Sequence, residues 1–135
     1  MKTINIKGKE YVPVVERVKE FHKLHPCGSI ETEVTQSENE SRRVSVKATV
    51  KIPVINGEEI SSWKTYTGHS QAVYGAGMMG DVALEIAETS AVGRALGFAN
   101  IGLLEGIASA DEIRKVKQPL VVGEKKDGYV EDLGF

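Results

Sequence analysis

The chain has 135 residues, of which 41% are hydrophobic and 27% charged, and its formal net charge is −2. This length supports one domain with a single core, and the composition is that of an ordinary soluble globular protein. No apolar run approaches the roughly eighteen residues that a membrane span needs, and the first ten residues lack a signal-peptide apolar region. Because Cys27 is the only cysteine, an intrachain disulfide is excluded and we expect a cytoplasmic protein.

The first elements are predicted from short local patterns. Thr3–Ile6 and Glu10–Val12 flank Lys7-Gly8-Lys9, which predicts a small hairpin or an extended arm. Pro13 occupies a position where a helix can begin, since its missing N–H is not needed there. An amphipathic helix is then predicted up to Pro26. Its apolar stripe comprises Val14, Val15, Val18, Phe21 and Leu24, and its charged side comprises Glu16, Arg17, Lys19, Glu20 and Lys23.

Three strands are predicted next, at Ile30–Gln36, Arg42–Ile52 and Ile60–Thr67. The second strand alternates most clearly, because its even-numbered residues from Val44 to Ile52 are apolar and its odd-numbered residues are polar. Asn56-Gly57 is typical of a hairpin turn between the second and third strands. The pattern predicts an antiparallel meander of three to four strands, with one face against helices and the other face free.

Gly68–Gly80 is predicted as a glycine-rich loop. Its Gly75-x-Gly77-x-x-Gly80 spacing matches the dinucleotide-binding fingerprint, but that fingerprint requires a parallel βαβ unit, which an antiparallel meander does not provide. We therefore expect no nucleotide cofactor. His22, His25 and Cys27 lack a fourth ligand, so no metal site is predicted either.

A long C-terminal helix is predicted within Asp81–Leu103, with Asp81 as its N-cap. Its many Ala and Gly residues would let another backbone approach closely. Arg94 is the only cation in this stretch, and it requires either an internal carboxylate or a phosphate as its partner. Ser109-x-x-Glu112 is a capping box that predicts a short helix over Ala110–Lys117. The predicted fold class is thus α+β with a β-β-β-α core.

The free face of the meander is a candidate site for a polyanion. The strand from Arg42 to Ile52 contains four cations and no acid, and those at 43, 47 and 51 would project from one face about 13 Å apart. Cations on such a face can hold phosphates, and a nearby aromatic such as Tyr66 can stack on bases. The alternative is a solvated face whose cations pair with Glu31, Glu33 and Glu59.

Glu88–Leu103 resembles the helix signature of single-strand annealing proteins of the Erf and Rad-fifty-two type. The resemblance is carried by Thr89, Ala91, Arg94, Ala95 and Leu96, followed by the apolar stretch from Phe98 to Gly102. The stretches at 67–70 and 107–113 are similar to small phage and mobile-element proteins of recombination. This resemblance implies a β-meander-plus-helix fold, a ring or filament of subunits, and single-stranded DNA in a basic groove. Gly93 stands where the family often has a cation.

These patterns together predict a non-enzymatic, sequence-independent single-stranded DNA-binding protein of recombination or replication, with strand annealing left open. No catalytic residue, metal or cofactor is expected. The alternative function is a protein–protein interaction module of a mobile element. The predicted phosphate contacts are Arg42, Arg43, Lys47, Lys51, Lys64 and Arg94, and the predicted base-stacking residues are Tyr66 and His69.

The C-terminal residues 118–135 hold two Lys and four acidic residues, whereas residues 1–117 hold fifteen cations and fifteen acids. We therefore predict one domain over 1–117 and an acidic, flexible tail over 118–135. The tail ends in Glu131-Asp132-Leu133-Gly134-Phe135, which resembles the acidic tip of bacterial single-stranded DNA-binding proteins. That resemblance implies that Asp132, Leu133 and Phe135 contact replication or recombination proteins, and an ordinary disordered end is the alternative.

Overall fold

The computed structural model describes residues 1–40, 42–75, 82–104 and 106–117. Within these ranges the chain is α+β, with a two-stranded sheet, a three-stranded antiparallel sheet and three helices. None of these helices combines the length and the apolar character that a membrane crossing requires. The elements in chain order are β1 (Ile4–Ile6), β2 (Lys9–Tyr11), α1 (Val14–Leu24), β3 (Ser29–Glu38), β4 (Arg43–Asn56), β5 (Glu59–Val73), α2 (Ala83–Phe98) and α3 (Ala110–Lys117).

The N-terminal segment is a hairpin, which decides between the two predicted alternatives. β1 and β2 pair antiparallel, with Ile6 opposite Lys9. The two turn residues, Lys7 and Gly8, both have positive φ, at 52° and 85°. Positive φ at both positions is typical of the tight hairpin turns whose twist matches that of the flanking strands. The Glu10 carboxylate accepts hydrogen bonds from the side chains of Thr3 and Asn5, and these bonds lower the pKa of Glu10.

The three predicted strands are present in the order β3-β4-β5, but each is longer than predicted. Gly57 in the turn between them has a φ of 72°, as the Asn56-Gly57 pair predicts. The loop predicted from Gly68 is wrong up to Val73, because residues 68–73 pair with β4 from Ala48 to Arg43. Of the glycine motif, only Gly75 lies in the described ranges; residues 76–80 and the predicted cap Asp81 lie outside them.

Small residues of α2 bring this helix into direct contact with the backbone of β5. Ala91 and Ala95 are completely buried. A Cβ atom added to Gly68 would lie 2.5 Å from both the carbonyl oxygen of Ala91 and the amide nitrogen of Ala95. The close backbone approach predicted from the Ala and Gly content is therefore observed, and it places α2 on one face of the sheet.

The long C-terminal helix of the prediction is not observed. α2 has 16 residues and ends at Phe98, and α3 is a separate helix. Asn100 and Gly102 have φ values of 67° and 77°, which a right-handed helix cannot continue through. The apolar pattern up to Leu103 did not reveal this end, because Ile101 remains buried beyond the helix terminus.

The core lies between the three-stranded sheet and the helices. Even-numbered residues of β4 face α2, and Phe21 of α1 closes one end of the cluster. Burial of this apolar surface provides the main stabilisation of the domain. The buried members are Phe21, Val44, Val46, Ala48, Val50, Ala83, Ala87, Ala91, Ala95, Leu96 and Ile101. The helices thus occupy one face of the sheet.

Arg17 lies at the junction of the helices rather than on the solvated side of α1, where the sequence pattern placed it. It is 1% exposed. Its Nη1 donates to the carbonyl oxygens of Gly93 at 2.7 Å and Ile107 at 3.0 Å, and its Nη2 donates to that of Gly102 at 3.2 Å. Burial lowers the pKa of Arg17, and the charges of Glu112 and Asp111 act in the opposite direction.

A side chain of α3 caps the N-terminus of α1, although the two helices are far apart in the sequence. Pro13 is the N-cap residue of α1 and has no side-chain oxygen to offer. The Asp111 Oδ1 atom instead accepts the backbone N–H of Val14 at 2.7 Å, which satisfies one of the unpaired donors at the helix start. The predicted capping box is confirmed, because Ser109 and Glu112 each accept the backbone N–H of the other with their side chains.

The contact at Gly68 predicts the first variant. Gly68→Ala places a methyl group against two backbone atoms that cannot rotate away, so we expect the free energy of unfolding to fall by about 1–3 kcal/mol. Thr65→Ala, on an exposed position of the same strand, is the control and should change it by less than about 0.5 kcal/mol. Urea denaturation followed by circular dichroism measures both. Equal midpoints for the two variants would show that α2 and β5 are not in contact here.

The second prediction concerns the hydrogen bonds from Arg17 to buried carbonyl oxygens. Arg17→Met leaves several buried carbonyl oxygens without donors, so we expect a loss of about 3–5 kcal/mol in the free energy of unfolding. Arg17→Lys retains the charge but loses the planar array of donors, and it should fall between Arg17→Met and the native protein. Lys19→Met, on the exposed side of α1, is the matched control. The placement of Arg17 would be refuted if Arg17→Met unfolded at the same urea concentration as Lys19→Met.

Candidate nucleic-acid interface

The face of the three-stranded sheet opposite the helices is defined by the strand register. Residues directly opposite each other in an antiparallel pair point to the same face. Since the even-numbered residues of β4 from Val44 to Val50 are buried under the helices, its odd-numbered residues point away from them. We call this the open face. On β4 and β5 it consists of the pairs Arg43–Val73, Ser45–Gln71, Lys47–His69, Thr49–Thr67, Lys51–Thr65 and Pro53–Trp63.

Three cations lie in a line on the β4 part of the open face. Arg43, Lys47 and Lys51 occupy every fourth position, as the alternation of β4 predicts, so they are about 13 Å apart. We call these three residues the basic strip. Their partners on β5 are Val73, His69 and Thr65, none of which is acidic. The half of the open face formed by β4 and β5 is therefore positively charged.

The β3 part of the open face carries the opposite charge. Glu33 is directly opposite Lys47 and Glu31 is opposite Thr49. Glu38 is opposite Arg43 and forms an ion pair with it at 4.0 Å. We call these three glutamates the acidic edge. Pairing of the strip with neighbouring acids was the alternative left open by the sequence, and the structure places Glu31 and Glu33 where that alternative expects them, whereas Glu59 lies at the far hairpin end opposite Asn56.

Tyr66 does not lie on the open face, so its predicted placement as a base-stacking residue beside the basic strip is wrong. It is opposite Val50 and packs against the core on the helix-covered side. Lys64 is opposite Ile52 on that same side but is exposed. The reason is the register of the hairpin, which pairs odd-numbered residues of β5 with odd-numbered residues of β4. The aromatic residue on the open face is instead Trp63, which is 48% exposed.

His69 and Arg42 lie near the basic strip. His69 is exposed within β5, opposite Lys47, rather than in a loop. Arg42 precedes β4 with a φ of 58°, and its guanidinium lies beside Gly75, where an added Cβ would be 3.1 Å from Nη1. Its carbonyl oxygen accepts the N–H of Tyr74 at 2.7 Å. Arg42 therefore lies next to Arg43, at one end of the basic strip, and its side chain lies beside the C-terminal end of β5.

Arg94 is separated from the basic strip by the sheet. It belongs to α2, on the covered face, and its Nη1 atom is 3.7 Å from Oε2 of Glu112, which is 1% exposed. Of the two partners considered for Arg94, an internal carboxylate or a phosphate, the structure shows the carboxylate. The sequence did not identify Glu112 as this partner, because Glu112 lies on a different helix, α3, and only the folded chain brings it to Arg94.

Among the side chains that the structure describes, the outer surfaces of α1 and α2 do not form a second basic region. On α1, Lys19 and Lys23 are exposed, but Glu16 and Glu20 accompany them, and Lys19 forms an ion pair with Glu16 at 3.7 Å. On α2, the exposed charges in the first turns are Glu85 and Glu88. The Glu88 carboxylate accepts a hydrogen bond from the Thr32 hydroxyl at 2.6 Å.

Other predicted contact residues lie outside the described ranges. These are Asp132, Leu133 and Phe135 of the tail. Within the ranges that are described, no group of three or more His, Cys, Asp and Glu side chains could hold a metal ion, and Cys27 is exposed.

Comparison with known proteins gives one family. No curated protein matches the chain. Residues 18–99 match the model of a family described as Slr1353 N-terminal dsRNA-binding domain-like, and this range runs from within α1 through β3, β4 and β5 to the end of α2.

The resemblance to annealing proteins of the Erf and Rad-fifty-two type is thereby corrected. The residues that carried it include Ala91, Ala95 and Leu96, which are completely buried between α2 and the sheet. Small residues at these positions follow from helix–sheet packing and do not identify a family. Because the matched range covers more than half of the sequence, the chain belongs to the Slr1353 N-terminal dsRNA-binding domain-like family.

Proposed function

We propose that this protein binds single-stranded DNA, without catalysis and independently of sequence, through the β4–β5 half of its open face. The observation that supports the proposal most strongly is the basic strip, in which Arg43, Lys47 and Lys51 share one face of the sheet and have no acid directly opposite them on β5. Cations at this spacing can neutralise successive stretches of a flexible phosphate backbone. Neutralisation releases condensed counterions, which makes the affinity dependent on salt.

The acidic edge limits where the strand can lie. Glu31, Glu33 and Glu38 flank the basic strip on one side and would repel phosphates placed over β3. His69, Thr67 and Thr65 flank it on the other side and offer polar groups that can contact sugar and phosphate oxygens. The path along β4 and β5 is therefore the one that a polyanion would follow.

Double-stranded RNA is a second candidate ligand, and the description of the family favours it. Domains that bind duplex RNA span about 16 base pairs and contact two successive minor grooves and the phosphates of the major groove between them, which requires contact groups well separated over the surface. Here the exposed lysines of α1, Lys19 and Lys23, have two half-buried glutamates beside them, and α2 presents Glu85 and Glu88. The described surfaces of α1 and α2 thus offer little to a duplex, and the sheet side is the better phosphate surface.

The ring or filament of subunits, strand annealing and the phage or mobile-element origin were implied by the corrected resemblance and are not part of the proposal. The proposal is likewise confined to strand binding and does not include a role in recombination or replication.

Neutralising the basic strip tests the proposal. Lys47→Gln/Lys51→Gln should weaken binding to a labelled oligothymidine and make the salt dependence shallower by about 1.4 in the slope of log affinity against log salt, since about 0.7 is lost for each phosphate contact to a single strand. Fluorescence anisotropy at several salt concentrations between about 50 and 200 mM measures this slope.

The matched control is Lys19→Gln/Lys23→Gln, which removes the same charge from α1. We expect it to leave both the affinity and the slope close to those of the native protein. If instead the α1 variant weakens binding and the β4 variant does not, the proposed surface is wrong. Tighter binding to an RNA duplex than to oligothymidine, unaffected by the β4 changes, would favour the second candidate.

Removing one charge of the acidic edge should have the opposite effect. Glu33 is directly opposite Lys47, so Glu33→Gln relieves repulsion of a phosphate at that position. We expect the affinity for oligothymidine to rise by up to about 5-fold, with the largest gain at low salt. Glu20→Gln on α1 makes the same change of net charge elsewhere. An increase that is equal for the two variants would show that only the overall charge matters.

A further inference from the structure

β4 and β5 extend beyond the three-stranded part of the sheet. The pairing of β3 with β4 ends at Ser29 and Lys51, whereas the pairing of β4 with β5 continues to Asn56 and Glu59. Residues 52–64 therefore form a two-stranded ribbon, beside which no third strand lies in the part of the chain that the structure describes. We call this segment the ribbon. The ribbon continues the direction of the basic strip past the end of the acidic edge.

Trp63 is the largest side chain on the open side of this ribbon. It lies opposite Pro53 and is 48% exposed, and it is not a member of the hydrophobic core. Indole rings bury a large area when they are covered, and tryptophan is enriched at binding interfaces. The ring is thus available to a planar partner.

Trp63 is also adjacent to the cation at the end of the basic strip. Lys51 is opposite Thr65, so Trp63 is its diagonal neighbour across the strand pair, at about 7–8 Å. Lys64, the next residue along β5, is exposed on the other side of the ribbon. The aromatic ring is accordingly accompanied by positive charge, which suits a base attached to a phosphate chain.

We infer that Trp63 is the stacking platform for an unpaired base of the bound strand, while Lys51 holds a phosphate next to it. This inference rests on the proposed function and names the chemical feature that the site recognises. A base within a duplex has both of its faces covered by its neighbours, whereas an unpaired base can leave the stack and cover an aromatic ring. Trp63 therefore makes the site prefer single strands to duplexes.

The turn end of the ribbon limits how far the bound strand extends along the surface. The charge beside Trp63 also makes a protein partner less favoured than nucleic acid. Glu58 and Glu59 lie at the turn, so a polyanion would leave the surface before reaching them. Ile55 and Ile60, which are 59% and 46% exposed, form one further apolar pair at the tip. The charged side chain nearest to Trp63 on the open face is Lys51, and its positive charge favours nucleic acid over a protein partner.

The sequence contains a single tryptophan, so indole fluorescence, excited at wavelengths that tyrosine does not absorb, reports on Trp63 alone. Titration with unlabelled oligothymidine should quench this emission in step with the binding measured by anisotropy of a labelled strand, and added salt should reverse both. Trp63→Ala should weaken oligothymidine binding by roughly 5- to 100-fold, and Trp63→Phe by much less.

Two further readouts separate stacking from a general defect. The salt slope of Trp63→Ala should equal that of the native protein, because no phosphate contact is lost, and its thermal unfolding should be unchanged because the ring is outside the core. The affinity for an RNA duplex should not change.

The contrary outcomes are distinct. Normal oligothymidine binding without quenching, together with an unaltered affinity of Trp63→Ala, would overturn the stacking role and leave the proposed function intact. Absence of binding to any single strand would overturn both. A change in the oligomeric mass of Trp63→Ala with unaltered oligothymidine affinity would assign the ribbon to contacts between copies of the chain and would also refute the inference.

Discussion

The contact between α2 and the backbone of β5 at Gly68 determines which side of the sheet is available for binding. No side chain separates the helix from the strand there, and a methyl group on Gly68 would meet backbone atoms of α2 at 2.5 Å. Because side chains alternate along a strand, fixing the helix on one face turns Lys47, Lys51 and Trp63 to the other. The chemistry of the open face is a consequence of packing on the covered face.

The arginines on the covered side of the sheet, Arg17 and Arg94, have their partners within the protein itself. Arg17 is surrounded by carbonyl oxygens of α2 and of the segment that follows it, and Arg94 forms an ion pair with the buried Glu112. Asp111 completes the arrangement by capping α1 from α3. Buried ions require partners of this kind because desolvation is costly. These two arginines thus hold the helices together, while the cations of β4 remain directed towards solvent.

Local patterns in the sequence predicted the elements that depend on neighbouring residues. These include the alternation of β4, the turn at Gly57, the start of α1 at Pro13 and the capping box of α3. Pairings between distant residues were not predictable in the same way. The Arg17 side chain is charged, so the pattern assigned it to solvent, although its partners are more than seventy residues away in the chain. Tyr66 was misplaced because hairpin register, and not strand alternation alone, decides its face.

A bulge explains why the acidic edge was not fully foreseen. Val34 is opposite Val46 and Gln36 is opposite Ser45, so Thr35 is an extra residue that reverses the alternation of β3. Glu31 and Glu33 reach the open face by their odd numbers, and Glu38 reaches it only because of the bulge. The open face is therefore divided into an acidic and a basic half, a property that neither strand shows alone.

The central claim, that nucleic acid lies along β4 and β5, is tested most directly by mapping amide chemical shifts during titration with oligothymidine. We expect the largest chemical-shift changes on residues 43–53 and 63–71, and we expect the amides of α1 and the first turns of α2 to be nearly unaffected. Changes concentrated on those helices, with β4 and β5 unperturbed, would contradict it.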